Sequence, residues 1–450
     1  MLSPARRTSH RVRGIAVAAL AAATLMVAPR ARAQQQQQTT ERIRLGDLYA
    51  QVERANPRIA AASALATAAQ ARVPGARRPP DPQLQLGLMN YTLPGLAPMP
   101  ILGMNQLQLM QMLPLGGKLR SAGRAAAAQA SATGERARDV VWETRSAAAM
   151  AFYDLYAVDG QLDVSRETLR LLQDIERTAQ SMYRVGDGRQ TDVLRAQVEI
   201  ARMTEDTLRM QAMRATMVAK LDALLDRDAQ FGFGRPALPR FPDALPPRSA
   251  LDSLAATQRP MIRAGVDDVR AAEESQRLAR KEIWPDLQVG VQYAQQGGEM
   301  GTERMGSLML GATIPVFARD RQLRMREEAA AMTRMAQAEL AAMRAETRGK
   351  IGEAYTSLMR ARSLARLYRS TVLPQADATV ASAMSAYRVG GVDFMTVLDD
   401  RMTVNRYRQE LYVLDAEQGK AWAELEMLIG RALFDPNETA APMTGTRGTQ

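Results

Sequence analysis

The 450-residue sequence contains no cysteine and only one histidine, His10. Without cysteine, neither a disulfide framework nor a cysteine-linked lipid can form. Thiol and imidazole groups also supply most protein nucleophiles, general bases and zinc ligands. His10 lies within the first 33 residues, which are assigned below to a signal peptide. The rest of the chain therefore retains only carboxylate, hydroxyl or lysine chemistry, and no nucleophile motif accompanies it. The sequence therefore predicts a protein that is not an enzyme and needs no cofactor.

Long apolar runs are also lacking after the first 33 residues. The run from Ile15 to Val27 is shorter than the roughly 20 residues of a membrane-spanning helix. It follows four arginines and precedes the small residues of Ala31-Arg32-Ala33. This pattern predicts a signal peptide at 1–33 and export from the cytoplasm. Later alanine-rich segments are interrupted by charges, so only strands could cross a membrane.

Excess charge of one sign is small once the signal is removed. The whole chain has a net charge of +11, and six of its arginines lie in residues 1–33. The remainder holds 53 basic and 48 acidic residues, or about +5. This balance predicts no nucleic-acid partner.

An internal repeat organises the rest of the chain. Tyr183-Arg184-Val185-Gly186 recurs as Tyr387-Arg388-Val389-Gly390, 204 residues later, and each copy is followed by Val-Leu at the same distance. Leu84-Gln85-Leu86-Gly87-Leu88 similarly matches Leu287-Gln288-Val289-Gly290-Val291. Self-similarity at one offset indicates a duplicated structural unit.

The repeat sets the predicted domain boundaries. A glutamine-rich disordered start occupies 34–42, the first repeat 43–230, a proline-rich linker 231–250, the second repeat 251–433 and a disordered tail 434–450. Each repeat is predicted to run helix, strand, strand, helix, helix. The first helices are expected at about 43–72 and 259–282.

Periodicity assigns the elements within each repeat. The segment Gln83–Leu88 alternates apolar and polar residues, as a strand does. Helix-compatible sequence runs from Lys118 to Arg184, about 100 Å at 1.5 Å per residue. The fold class is therefore mainly α with a small β part. Four strands per chain cannot close a barrel alone, so three chains with 12 strands, or two with eight, are needed.

The motifs resemble the TolC-like outer-membrane efflux family over about residues 43–433. The resemblance is carried by both Tyr-Arg-Val-Gly turns and by Asp81–Leu88, Gln111–Leu119 and Trp284-Pro285-Asp286-Leu287. It implies a homotrimer with a β-barrel in outer-membrane lipid and an α-helical barrel extending into the periplasm. It also implies two partners, a periplasmic adaptor (membrane fusion) protein and an inner-membrane efflux pump.

The same resemblance assigns roles near the two turns. It implies adaptor-docking tips at Tyr183, Arg184, Val185, Gly186, Arg388, Val389 and Gly390. It places the periplasmic gate at Thr191, Asp192, Tyr387, Asp399 and Asp400. A Tyr387 hydroxyl bonded to the Asp192 carboxylate would hold neighbouring hairpins together. The alternative is that acids following a turn only cap helices.

Methionine is abundant, with 27 in the chain. Met112-Leu113-Pro114 with Gly117-Lys118-Leu119 resembles the heavy-metal branch of the family, which exports copper and silver or zinc, cobalt and cadmium. Loop methionines are the candidate metal contacts: Met99, Met104, Met300 and Met305. Methionines at helical spacing are interpreted as packing residues.

Other functions remain open from sequence alone. Drug or peptide export uses the same architecture. A periplasmic coiled-coil scaffold would share the signal and the long helices, but it would not need paired strands in both repeats.

Overall fold

A computed structural model describes residues 42–92, 94–95, 97–99, 103–228, 232–298 and 301–439. The predicted signal peptide, Met300, the glutamine-rich start up to residue 41 and the last part of the predicted tail lie outside these residues. No helix in the described part is both long and apolar enough to cross a membrane.

The first half contains four helices and four strands. In chain order they are α1 (Leu45–Ala55), α2 (Pro57–Ala76), β1 (Gln83–Met89), β2 (Tyr91–Thr92), β3 (Ala97–Pro98), β4 (Met104–Leu113), α3 (Lys118–Val185) and α4 (Gln190–Leu224). The β2–β3 pair is a small hairpin of its own. The predicted order is otherwise present, with long strands and long helices as expected.

The second half repeats this order without the small hairpin. It comprises α5 (Arg248–Gln258), α6 (Pro260–Lys281), β5 (Asp286–Gly298), β6 (Gly301–Thr313), α7 (Gln322–Leu367), a π-helical turn (Tyr368–Val372), α8 (Leu373–Arg388) and α9 (Phe394–Ile429). The prediction of a mainly helical, duplicated chain with a small sheet is confirmed.

The predicted single helix over 43–72 is wrong, because the chain bends between α1 and α2. Asn56 is extended, its side chain accepts the Arg58 N–H at 2.9 Å, and Pro57 occupies the first position of α2. Proline lacks an N–H and suits that position. The Asn56 amide also donates to the Leu224 carbonyl at 2.8 Å, so the cap ties α2 to the end of α4.

A π-helical turn interrupts the long helix of the second half. Pro374 cannot donate to the carbonyl four residues earlier, and its ring crowds that carbonyl. The helical turn there contains one extra residue, so the Leu373 N–H donates to the Tyr368 carbonyl five residues earlier. The corresponding first-half helix, Lys118–Val185, is unbroken.

The four long strands form one antiparallel sheet in the order β1-β4-β5-β6. The two hairpins therefore join through β4 and β5, and β1 and β6 are the edges. One cross-strand row is Leu84, Leu109, Val291 and Leu308. Residues in a row share a face, so this register fixes which side chains lie on each side.

Midway along the helices, the linker ties the two ends of the chain together. Ile43 and the linker exchange hydrogen bonds, with the Ile43 N–H donating to the Arg235 carbonyl and the Ala237 N–H to the Ile43 carbonyl, both at 2.9 Å. The Arg240 N–H donates to the Glu438 carbonyl at 2.7 Å. Residues 434–439, assigned to the tail from sequence, thus pack at this belt, where Phe434 lies against Trp422.

Glu426 fixes the path of the chain after α9. Its carboxylate accepts the Leu433 N–H at 2.7 Å, and the side chain is buried. Burial raises the pKa of Glu426 from 4.5 to about 7, although the Leu433 N–H and the Arg145 guanidinium oppose that rise. Near pH 5–6 this carboxyl is therefore neutral when folded and ionised when unfolded.

We expect Glu426→Gln to remove a pH dependence of stability. In the wild type, the favourable contribution is complete below pH 4.5 and is lost as pH rises through about 7. The loss amounts to about 3 kcal/mol. Glutamine stays neutral, so its thermal unfolding, followed by circular dichroism, is not expected to weaken over that range. The exposed Glu205→Gln variant is the control; equal pH profiles for wild type and Glu426→Gln would contradict the assignment.

Candidate functional site

The two helical hairpins end in turns built on glycine. Gly186 and Gly390 have φ angles of 85° and 71°, a left-handed conformation that only glycine adopts at little cost. The Gly188 N–H donates to the Met182 carbonyl at 3.1 Å, and the Gly391 N–H to the Ala386 carbonyl at 2.8 Å. These bonds reverse the chain, so α4 returns along α3 and α9 along α8.

A hydrophobic cluster joins the two hairpins just behind these turns. Phe394 is 1% exposed and packs edge-on to Tyr387 with ring centroids 5.8 Å apart. Buried members come from α3, α4, α8 and α9: Leu172, Ile175, Ala179, Val193, Ala196, Met203, Ala383, Tyr387, Phe394, Val397 and Leu398. The tips therefore form one packed unit within a chain.

The structure brings two predicted gate residues together and leaves others apart. Asp192 and Tyr387 are both buried, and after burial the Asp192 charge is the main cause of the raised pKa of the Tyr387 phenol. Within the described residues, no hydrogen bond joins this pair in the single chain. Thr191 and Asp399 are exposed, and Asp400 is half-buried. Asp399 is thus free to face another chain.

The predicted docking residues lie at the exposed ends of the hairpins. The side chain of Tyr183 is 46% exposed, and Val185 and Val389 are more exposed still. Arg184, Arg388 and the two glycines are also exposed. An apolar side chain at an exposed turn has no packing role within the chain, so these positions are available to a partner.

An ionic network that the sequence did not predict lies above the tips. Arg408 on α9 contacts Glu167 on α3 at 3.2 Å and Asp377 on α8 at 3.1 Å. Arg401 precedes Arg408 on the same helix, α9. Its pKa is lowered, first by burial and then by the nearby Arg408 charge. The network clamps three helices, and its members are too far apart in sequence for any local pattern to reveal it.

The sheet has two chemically different faces. On one face lie the exposed side chains of Leu84, Leu86, Leu109 and Leu308. On the other face, the row Gln85, Gln108, Gln292 and Ser307 is polar. An exposed apolar face of this extent is typical of contact with lipid or with another protein.

The described candidate metal residues lie on separate segments, Met104 in β4, Met305 in β6 and Met99 just after β3. Met104 is half-buried in β4, Met99 and Met305 are exposed, and Met300 lies outside the described residues. Among the residues that the structure describes, no three His, Cys, Asp or Glu side chains are grouped to hold a metal ion.

Solved structures share this architecture. One is a structure of CusC, reported in connection with folding and transmembrane channel formation. It is 17% identical to this chain, the match covers 88% of this chain and 94% of the CusC chain, and the TM-score is 0.75. VceC from Vibrio cholerae is 16% identical, covers 87% and 97%, and gives 0.72. The Neisseria gonorrhoeae MtrE channel is 15% identical, covers 88% and 91%, and gives 0.70. A comparison with curated proteins gave no match.

The fold is thus that of an outer-membrane channel subunit. The family profile described as outer membrane efflux protein matches residues 48–227 and 251–431, most of the chain. This chain belongs to the outer membrane efflux protein family.

Truncation of the tip cluster tests how the hairpins are held together. We expect Phe394→Ala to cost about 3–5 kcal/mol locally, because it empties a closely packed site. Hydrogen exchange should quicken over residues 172–203 and 383–398 while the belt around Trp422 keeps its protection. Thr396→Ala, at an exposed neighbouring position, should change neither region. Uniformly faster exchange along the whole chain would show that the tips are not a separate unit.

Proposed function

We propose that this chain forms the outer-membrane channel of a tripartite efflux system. The observation that carries the proposal is a sheet with one apolar face, one polar face and two open edges at the end of a helical rod about 100 Å long. In lipid, every backbone N–H and C=O must be paired within the protein. Edges β1 and β6 must therefore join those of other copies.

A homotrimer satisfies these edges with 12 strands in a closed β-barrel. The apolar face then contacts outer-membrane lipid, and the glutamine-rich face lines the tunnel. The helices extend the tunnel into the periplasm. Each chain ends there in two glycine turns, which we assign to docking of a periplasmic adaptor connected to an inner-membrane pump. The channel conducts passively, without catalysis or a cofactor.

The lower helices support the same assembly. Helix α3 packs between α4 and α9, which leaves the far side of α4 uncovered within the chain. That side carries Leu194, Val198 and Leu208, all more than half exposed. Their spacing of four and ten residues is typical of a coiled-coil seam. We assign this stripe to contact with the next chain of the trimer.

For cargo, we propose heavy-metal cations such as copper and silver, or zinc, cobalt and cadmium. The supporting observations are the Met112-Leu113-Pro114 motif and the number of methionines. Export of drugs or peptides remains the alternative within the family architecture, because a tunnel wall contributes little selectivity compared with the pump.

A charge on the α4 stripe tests the assembly. We expect Leu208→Asp to prevent trimer formation, because it buries an unpaired carboxylate in the seam. The full-length chain is expressed with its signal, outer membranes are isolated, and the oligomer is sized by light scattering in detergent. The exposed Glu205→Asp variant on the same helix should remain trimeric. A wild-type chain recovered as a soluble periplasmic monomer would instead favour the coiled-coil scaffold.

Neutralising the proposed gate tests conduction. Three copies of Asp399 would ring the narrow end and attract cations. We therefore expect Asp399→Ala to increase single-channel conductance in a planar bilayer and to reduce cation selectivity. Asp206→Ala changes a half-exposed carboxylate on α4, away from the tip, and serves as the control. Unchanged conductance and selectivity in Asp399→Ala would support the helix-capping interpretation.

A further inference from the structure

We propose that the polar face of the sheet contains a methionine site for a soft monovalent metal ion, centred on Met110 and Met309. The inference rests on the proposed function, because the polar face must line the tunnel for the ion to reach it. It also narrows the proposed cargo to copper(I) and silver(I), the ions that thioether ligands favour.

The distribution of methionine and leucine between the two faces supports this site. Strands β1, β4, β5 and β6 contain six methionines, and the register places all six on the polar face. These are Met89, Met104, Met110, Met112, Met305 and Met309. The nine leucines of the same strands all lie on the apolar face. If methionine served only as an apolar residue, it would share the leucine face.

Met110 and Met309 flank Gly290 in one row of the sheet. The three residues form one row, with Gly290 on the strand between the two methionines. A Cβ at Gly290 would lie 3.1 Å from Met110 Cγ and 3.7 Å from Met309 Cβ. Met110 Cγ therefore lies over the space that a side chain at position 290 would fill, Met309 flanks it on the other side, and Gly290 itself is buried. Backbones two strands apart are about 10 Å from one another, a gap that two thioether arms can bridge.

The remaining methionines extend this site along the face. Counting only rows of the polar face, Met112 lies one row from Met110 toward the helices, beside Gln288. Met305 lies two rows from Met309 in the opposite direction, toward the hairpin loop. Met89 and Met104 pair directly near that loop. At about 3.4 Å per residue, the set from Met104 to Met112 spans about 27 Å. Thioethers thus follow the direction in which cargo would travel.

The chemistry suits transient binding. A pair of neutral thioethers holds a soft ion without the charge of a thiolate, and glutamine amides lie in the adjacent rows. A conducting wall needs sites that bind well enough for entry but weakly enough for release. Several weak sites in succession meet this condition better than one tight site.

Silver binding tests the site independently of conduction. Full-length protein in detergent is titrated with silver nitrate in chloride-free buffer by isothermal titration calorimetry. We expect Met110→Leu/Met309→Leu, which preserves side-chain volume, to weaken silver binding by roughly tenfold or more. Met332→Leu/Met335→Leu, a pair on exposed positions of α7, should bind as the wild type does. Equal silver affinity in the wild type and Met110→Leu/Met309→Leu would overturn the proposal.

Planar-bilayer recordings in potassium nitrate separate this inference from the proposed function. We expect micromolar silver nitrate to cause brief current blocks in the wild type and the α7 variant, and far fewer in Met110→Leu/Met309→Leu, each normalised to its own potassium current. If the channels conduct and silver blocks all variants equally often, the methionine site is refuted and the proposed channel function stands. If silver binding depends on Met110 and Met309 but the protein never conducts, the methionine site stands and the proposed channel function is refuted.

Discussion

The unpaired edges of β1 and β6 impose the main constraint on this chain. A four-stranded sheet with one apolar face cannot remain alone in lipid, because each unpaired backbone group there costs several kcal/mol. Closure by other copies fixes the angle between neighbouring chains, and the helices must then continue the same curvature. The leucines of α4, which are exposed in one chain, are consistent with that requirement, because a closed ring would bury them.

The long helices transmit this constraint from the sheet to the tips. At mid-length, hydrogen bonds from the linker to Ile43 and Glu438 hold both chain ends against the helices. The helices beyond this belt are joined by the Arg408 ion pairs and by the cluster around Phe394. Partly exposed ion pairs contribute little stability individually, whereas the buried aromatic cluster contributes several kcal/mol. Packing, more than charge, therefore keeps the two hairpins parallel.

Periodicity and the internal repeat were sufficient to predict the helical rod and the paired strands. Helix α3 ends at Val185, one residue beyond the predicted segment, because 3.6-residue patterning and Gly186 are local signals. The break at Asn56 was missed, although the Asn-Pro pair is a local signal for it. The proximity of Asp192 and Tyr387 was expected only from the family resemblance. The Glu167–Arg408–Asp377 network was predicted neither by the resemblance nor by the sequence pattern. Segregation of methionine became visible only with the strand register, since alternation alone does not relate one strand to the next.

The π-helical turn at Tyr368–Val372 makes the two halves of the chain structurally unequal. The first half supports its tip with one uninterrupted helix, whereas the second half contains a joint at the level of the belt, where Arg369 pairs with the buried Asp415. In the proposed ring of three chains, six hairpins of two backbone types would therefore alternate around the tips. The ring would have threefold and not sixfold symmetry there.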